Sequence, residues 1–151
     1  MLNSFHKALF SSLVIIGASF GASGCKFKDT ESNEKQKPVI ENLVRATESW
    51  GGDLYAYPEG QAQMTLLRIT IPAGFRTQVH THPQPGVAYV VKGLLECVVK
   101  ADKTLIVGPG DGFATTFGDV PHYCENIGDK DVLVLVAYAG VETQPVTISL
   151  E

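Results

Sequence analysis

The amino-acid sequence predicts an all-β protein, built as a sandwich or a barrel of short strands. From about Glu41 onward the chain consists of short segments rich in β-branched and aromatic residues, and glycine or proline separates these segments at regular intervals. Eight or more such segments with turns between them are typical of a sandwich or a barrel. With 151 residues and 44% hydrophobic content, the chain is long enough to form one domain with a real core.

The clearest strand lies in the segment QMTLLRITI, residues 63–71. Its apolar and β-branched residues recur at every second position from Thr65 to Ile71, which is the period of a half-buried strand. Residues 42–54 fit one helical turn or a strand, and their β-forming residues favour a strand. Further strands are predicted at residues 75–82, 87–92, 94–100, 104–107, 113–117, 122–126, 132–138 and 146–150.

The first 24 residues differ in composition from the rest of the chain. A basic start at His6 and Lys7 precedes a mostly apolar stretch, residues 8–20, which small residues follow. This order is typical of an export signal. A membrane span is the alternative, but a span needs about 20 apolar residues, and this stretch is shorter and contains serines and a glycine. We therefore predict that residues 1–24 are a signal peptide and that the protein is exported.

The predicted signal ends in the sequence ASGC, residues 22–25, which resembles the lipobox of bacterial lipoproteins. This resemblance implies that Cys25 is lipidated and becomes the N-terminus of a periplasmic or cell-surface lipoprotein. Ala22 stands where a lipobox most often has leucine, so an ordinary secretory signal cleaved nearby is the alternative. Residues 25–38 contain one aromatic and no aliphatic side chain, and they are predicted to be a flexible tether between the membrane and a domain of residues 39–151.

The charge balance argues against a nucleic-acid partner. The chain has 12 basic and 16 acidic residues, and the loss of Lys7 with the signal leaves 11 basic residues against 16 acidic ones. No basic stripe remains to attract a phosphate backbone.

His80 and His82 lie two residues apart in a predicted strand. Side chains at this spacing point the same way with their Cβ atoms about 7 Å apart, so both imidazoles can reach one metal ion at about 2.1 Å. Two histidines on a solvated strand face would give the same pattern. Of the four histidines in the chain, His6 leaves with the signal, and His122 is the third candidate ligand.

These histidines resemble the ligands of the cupin family. The first cupin motif has a glycine, five residues, His-x-His, a glutamate four residues later, and a glycine after six more residues. It is matched here by Gly74, His80, His82 and Gly93, with Gly86 in place of the glutamate.

The second cupin motif ends in a histidine, three residues and an asparagine, which His122 and Asn126 match. The Pro-Gly-Asp turn that introduces it is matched by residues 109–111. The resemblance covers roughly residues 66–140. It implies a single cupin double-stranded β-helix, which is a small jelly-roll barrel, with a metal held inside its mouth by His80, His82 and His122.

Because position 86 is glycine, the usual carboxylate ligand of cupins is absent. Gln84 shares the strand parity of the two histidines, so it is the predicted fourth or outer-shell metal ligand, although the prolines beside it could turn it away. Strand parity directs Glu96 and Glu125 outward. Three neutral imidazoles leave the full double charge of a metal ion, which favours anionic ligands. The expected cofactor is one divalent transition metal, Fe, Mn, Zn, Ni or Cu.

Cys97 and Cys124 have inward parity on predicted strands near the histidines. Three interpretations stay open: two small buried residues, a disulfide in an oxidising compartment, or a thiol near the metal at Cys124. Tyr138 is predicted to pack the barrel, with orientation of a substrate as the alternative. Trp50 is predicted to be a core residue or a lid over the site.

The sequence therefore predicts an exported, metal-binding cupin that acts as a small-molecule oxygenase, isomerase or lyase. The alternative is a non-catalytic metal- or ligand-binding or sensing lipoprotein, because no acid or base is predicted to face the pocket. The expected partners are a small-molecule ligand, a membrane reached through the N-terminal lipid anchor, and a second copy of the chain in a homodimer.

Overall fold

The computed structural model describes residues 37–99 and 103–150. The predicted signal peptide, Cys25 and most of the predicted tether lie outside these residues. The chain divides into two units, Met1–Pro38 and Val39–Glu151, and the strands described below all belong to the second unit. Within the two described ranges, no helix is long and apolar enough to cross a membrane.

The described residues form nine strands, which confirms the predicted all-β fold. In chain order they are β1 (Ala62–Ile71), β2 (His80–His82), β3 (Gly86–Lys92), β4 (Leu95–Val99), β5 (Lys103–Val107), β6 (Gly112–Ala114), β7 (Gly118–Asn126), β8 (Val132–Val141) and β9 (Ile148–Ser149).

The strands are arranged in two antiparallel sheets. One sheet has the order β1-β8-β3-β6, and the other has the order β5-β4-β7-β2-β9. Of the eight connections, only the one from β4 to β5 joins two strands of the same sheet, so the chain passes from sheet to sheet almost every time. This alternation is the jelly-roll topology that the sequence predicts.

The core lies between the two sheets, and β8 illustrates how the sequence forms it. Val132, Val134, Val136 and Tyr138 have one parity in β8 and are each at most 6% exposed, whereas the residues between them are only partly buried. This is the two-residue period expected of a strand with one face on the core. From the other sheet, Leu95 and Cys97 join the same apolar cluster.

Gly93 connects β3 to β4 at a position that only glycine fits. Its φ angle is +85°, and a Cβ atom placed there would lie 2.7 Å from the Cα atom of Val132. A side chain would therefore be disfavoured by the backbone conformation and also by a collision with β8.

The strand predicted at residues 42–54 is wrong. This segment makes only an isolated bridge between Glu48 and Leu54. The backbone N–H of Ser49 donates to the carbonyl of Asp53 at 2.8 Å, and the N–H of Gly52 donates back to the carbonyl of Ser49 at 2.9 Å. The two glycines after Trp50 thus close a local turn, whose hydrogen bonds take the place of a strand ladder.

Two strands near the histidines differ in length from their predictions. β2 begins at His80 and not at the predicted residue 75. The residues before it make an isolated bridge, from Arg76 to Glu125, in place of a continuous ladder. β7 begins at Gly118, before the predicted start at His122. Pro121 lies inside β7, next to a shift in register between β2 and β7, where a residue without an N–H group is tolerated.

Candidate metal centre

The pairing of β2 with β7 brings the three histidines together. His80 lies directly opposite His122 in the ladder, and their ring centroids are 4.2 Å apart. The ring of His82 is 4.9 Å from each of the other two rings. One ring nitrogen from each histidine lies within 4.8 Å of the others. The structure therefore groups the three histidines that the sequence analysis had selected.

Backbone carbonyls orient all three imidazole rings. In each ring, Nδ1 lies close to a carbonyl oxygen: Gln78 O at 2.7 Å for His80, Val146 O at 2.7 Å for His82, and Val120 O at 3.3 Å for His122. Because a carbonyl can only accept a hydrogen bond, the two 2.7 Å contacts place a proton on Nδ1 of His80 and of His82, whereas Nδ1 of His122 also lies 2.9 Å from the hydroxyl of Thr116. This is how proteins usually fix the tautomer of a histidine that binds a metal.

Burial keeps two of the histidines neutral. His82 is 6% exposed and His122 is 5% exposed. Burial lowers the pKa of His82 to about 4, although its hydrogen bond to Val146 opposes this shift. Burial, with repulsion from His80 and His82, lowers the pKa of His122 to about 3. Both rings are therefore neutral at pH 7, which is the state that binds a metal.

The histidines open into a cavity of about 120 Å³ between the sheets. The described residues that line it include no aspartate, glutamate, lysine or arginine. Apolar side chains from both sheets form most of the wall, and hydroxyl groups lie among them from Thr77, Thr115, Thr116, Tyr138 and Thr147. The volume suits a metal ion together with a small molecule, since sites for drug-sized ligands are several times larger.

Three hydroxyl groups lie directly beside the imidazoles, and the first, from Thr147, is 3.3 Å from Nδ1 of His82. The hydroxyl oxygen of Thr116 is 2.9 Å from Nδ1 and 3.0 Å from Nε2 of His122. The phenol oxygen of Tyr138 is 3.2 Å from Nε2 and 3.3 Å from Nδ1 of His82. Thr116 is absent from the sequence prediction, because residues 114–116 are all buried and show no alternation. Tyr138 is predicted to pack the barrel or to orient a substrate, and its inward position in β8 fits both.

The structure does not bring Gln84 to the three histidines. Gln84 is 1% exposed, but it is not among the residues that line the cavity. Its amide donates hydrogen bonds to the carbonyl of Gln144 at 2.7 Å and to that of Val141 at 3.4 Å. β2 ends at His82, so strand parity no longer applies in the bend that follows. Its predicted role as a metal ligand gains no support from this placement.

The remaining site predictions concern four residues on β4 and β7. Glu96 and Glu125 lie opposite each other in the ladder and do not line the cavity, which confirms their outward parity. Cys97 and Cys124 do line the cavity, and they form a disulfide. Of the three interpretations of these cysteines, the structure selects the disulfide.

Asn126 has a structural function away from the metal candidates. It is completely buried, and its amide donates to the carbonyls of Ile71 and Lys130, both at 2.8 Å. Its side-chain oxygen accepts a hydrogen bond from the N–H of Gly128 at 3.0 Å. Asn126 therefore holds the turn between β7 and β8.

A jelly roll with three histidines inside its mouth defines the class of protein, and the comparison with protein families agrees. The sequence model of the family described as "Cupin domain" matches residues 67–138. Residues 67–138 therefore form a cupin domain, as the two motifs indicated. A comparison with curated proteins found no match.

Solved structures with the same fold include several enzymes. An oxalate decarboxylase from Lactobacillus farciminis, in a formate complex, is 24% identical with a TM-score of 0.50, over 60% of this chain and 27% of that chain. An oxalate decarboxylase from Bacillus subtilis, studied for its Mn(II) centers, is 25% identical with a TM-score of 0.50, over 58% of this chain and 24% of that chain. The DMSP lyases RdDddP and RnDddQII give 17% identity and a TM-score of 0.50, over 58% of this chain and 44% of that chain. This chain thus spans less than half the length of each.

Proposed function

We propose that this protein is a metal-dependent cupin that binds one divalent transition metal through His80, His82 and His122 and uses it to act on a small anionic molecule. The observation that carries the proposal is the convergence of three imidazoles, one ring nitrogen from each lying within 4.8 Å of the others. All three histidines line one cavity, and three imidazole nitrogens are a donor set that Fe, Mn, Zn, Ni or Cu can use.

The electrostatics of the cavity support an anionic ligand. Among the described residues that line it there is no aspartate, glutamate, lysine or arginine, so the protein supplies no carboxylate to offset a metal's charge and no cation to compete with it. A divalent metal bound here would supply Lewis-acid polarisation or the activation of dioxygen. The largely apolar wall lowers the local dielectric constant, which strengthens electrostatic interactions inside the site.

The enzyme proposed is an oxygenase, isomerase or lyase for small molecules. The cavity volume of about 120 Å³ suits a small substrate beside the metal. The threonine hydroxyls on the wall can donate hydrogen bonds to such a substrate and orient it. The Mn(II) centers named for the Bacillus subtilis oxalate decarboxylase support a divalent metal here.

Metal content is the first test. Protein purified from its native compartment should contain about one equivalent of transition metal by elemental analysis. Replacing any one of the three histidines by alanine should remove most of this metal, because each supplies one donor. Glu96→Ala and Glu125→Ala are the matched controls and should retain it, since both residues lie outside the cavity. Full occupancy in His122→Ala would contradict the proposed site.

Turnover is the second test. Oxygen uptake by the iron-loaded protein, with a panel of small diketones, thiols and phenols, tests for an oxygenase. Product analysis with small carboxylates tests for a lyase or an isomerase. The His122→Ala variant is the control for activity of free iron. Turnover that is equal in the variant and in the parent protein would contradict the proposed enzyme.

A non-catalytic function is the second candidate. It is favoured by the cavity wall, in which the described residues include no carboxylate or lysine that could act as an acid or a base. In this case the protein binds a metal or a small ligand and presents it to a membrane partner. Tight metal binding, together with a spectroscopic response to small anions but no turnover, would favour this function over the enzyme.

We also propose that the protein is exported and is anchored as a periplasmic or cell-surface lipoprotein through Cys25. The export pattern of residues 1–24 supports this proposal. The disulfide between Cys97 and Cys124 supports it independently, because stable disulfides form in oxidising compartments outside the cytosol.

A further inference from the structure

Position 86, where the cupin motif has its glutamate, has no room for a side chain. A Cβ atom on Gly86 would lie 2.7 Å from Cδ1 of Tyr138, and 2.9 Å from both the hydroxyl oxygen of Thr115 and the carbonyl oxygen of Ala137. Cβ atoms do not approach other atoms this closely, so a carboxylate at this position would displace its neighbours. The ring of Tyr138 lies in the space that the first atoms of such a side chain would need.

Tyr138 reaches this space because it lies directly opposite Gly86 in the ladder between β3 and β8. Directly opposed residues of an antiparallel pair point to the same face of the sheet. Tyr138 therefore projects from β8 on the same side as a residue-86 side chain would project from β3. It is 3% exposed, and it lines the cavity together with the three histidines.

The phenol oxygen lies beside the ring of His82. It is 3.2 Å from Nε2 and 3.3 Å from Nδ1 of His82, so a rotation of the Tyr138 side chain within the cavity would bring it in front of Nε2. The hydrogen bond from Nδ1 to Val146 leaves the lone pair on Nε2.

We propose that the phenolate oxygen of Tyr138 is the fourth protein ligand of the metal and takes the place of the absent glutamate. This inference rests on the proposed three-histidine metal site. When the metal binds, the O–H bond of Tyr138 breaks, an oxygen–metal bond forms, and the proton leaves to solvent. One positive charge of a divalent ion then stays uncompensated, so a small anion is still the favoured ligand at the open position.

Ferric iron added to the metal-free protein tests the inference. Tyrosinate bound to Fe(III) gives a charge-transfer absorption in the visible range, which imidazole ligands alone do not give. We expect this band in the wild-type protein and its loss in Tyr138→Phe. Tyr89→Phe is the matched control and should keep the band, since Tyr89 lies outside the cavity. We also expect Tyr138→Phe to bind Zn²⁺ about ten-fold more weakly or worse.

The possible failures can be told apart by measuring iron content with the spectrum. If the wild-type protein binds one iron without the band, Tyr138 is not a ligand and the three-histidine site stands. If it binds no metal, both the proposed function and this inference fail. Should Tyr138→Phe not fold, resonance Raman spectra of wild-type protein grown on ring-deuterated tyrosine decide the matter. Tyrosine modes that are enhanced and shift with the isotope support ligation, and their absence overturns it.

Discussion

At the residue scale, the histidines combine burial with neutrality, and this combination makes the metal-free protein sensitive to acid. An unfolded histidine titrates near pH 6.5, whereas burial lowers the pKa of His82 to about 4 and that of His122 to about 3 in the folded protein. Between about pH 6.5 and pH 4, the unfolded chain therefore binds more protons than the folded one. The free energy of unfolding must decrease as the pH falls through this interval.

We expect the urea midpoint of the metal-free protein to decrease between pH 7 and pH 4. The decrease should be smaller in His122→Asn, which has one fewer buried histidine to protonate on unfolding. Urea titrations at a series of pH values, followed by circular dichroism, measure the effect. An equal decrease in the variant and in the wild type would show that the buried His122 is not its source.

At the element scale, the bend between β2 and β3 decides what Gln84 does. Its amide holds the carbonyls of Gln144 and Val141, and Gly140 provides the space, since a Cβ atom there would collide with the Gln84 side chain. Gln84 therefore joins the segment before β3 to the end of β8. Because β8 also carries Tyr138, this contact stabilises a strand that lines the cavity.

We expect Gln84→Ala to lower the free energy of unfolding by about 1–3 kcal/mol, because it removes the side-chain hydrogen bonds to Gln144 and Val141 and leaves a cavity where a buried side chain packs. The variant should keep its affinity for Zn²⁺, since Gln84 does not line the cavity. Urea unfolding and calorimetric Zn²⁺ titration test the two parts separately. A variant with normal stability and weak metal binding would restore Gln84 as a ligand.

At the scale of the whole molecule, the outer face of the four-stranded sheet is apolar and exposed. Met64 is 75% exposed and Leu66 is 71% exposed. Leu66, Ala137 and Val87 form one row across β1, β8 and β3. An exposed apolar surface on a strand face is typical of an interaction site, and this surface supports the predicted homodimer.

We expect the wild-type protein to be a dimer in solution and Leu66→Glu to be a monomer. The substitution places a charge on the exposed face without changing the core, so the fold should be retained. Analytical ultracentrifugation at several concentrations measures the effect. A monomeric wild-type protein, or a variant that is still dimeric, would contradict this interface.

Anchoring is also a property of the whole chain. If Cys25 is lipidated, Cys25→Ser should move the protein from the membrane fraction to the soluble fraction, because residues 26–38 have no aliphatic surface to hold it there. Fractionation and immunoblotting of both forms measure this. Unchanged membrane association of the variant would argue against lipidation.

The all-β class was readable from local pattern, and the histidine triad was readable from the spacing of His80 and His82 together with the resemblance of His122 and its neighbours to the second cupin motif. A strand with one face on the core shows apolar residues at every second position, whatever it packs against. The spacing of His80 and His82 within one strand likewise directs both rings to the same side. The strand predicted at residues 42–54 from its β-forming residues is wrong. A turn closed by Ser49 and Asp53 satisfies the backbone hydrogen bonds locally, so this segment forms no strand ladder.

The sequence by itself thus determined most of the strands, and through its two cupin motifs it determined the jelly roll and the three histidines. Only the tertiary structure decided which other groups meet them. Strand parity states which face a side chain occupies, but the register between strands that are distant in the chain decides its neighbours. The register of β8 on β3 sets Tyr138 opposite Gly86, and that of β4 on β7 sets Cys97 opposite Cys124. Such registers come from packing across the whole core, so no local pattern contains them.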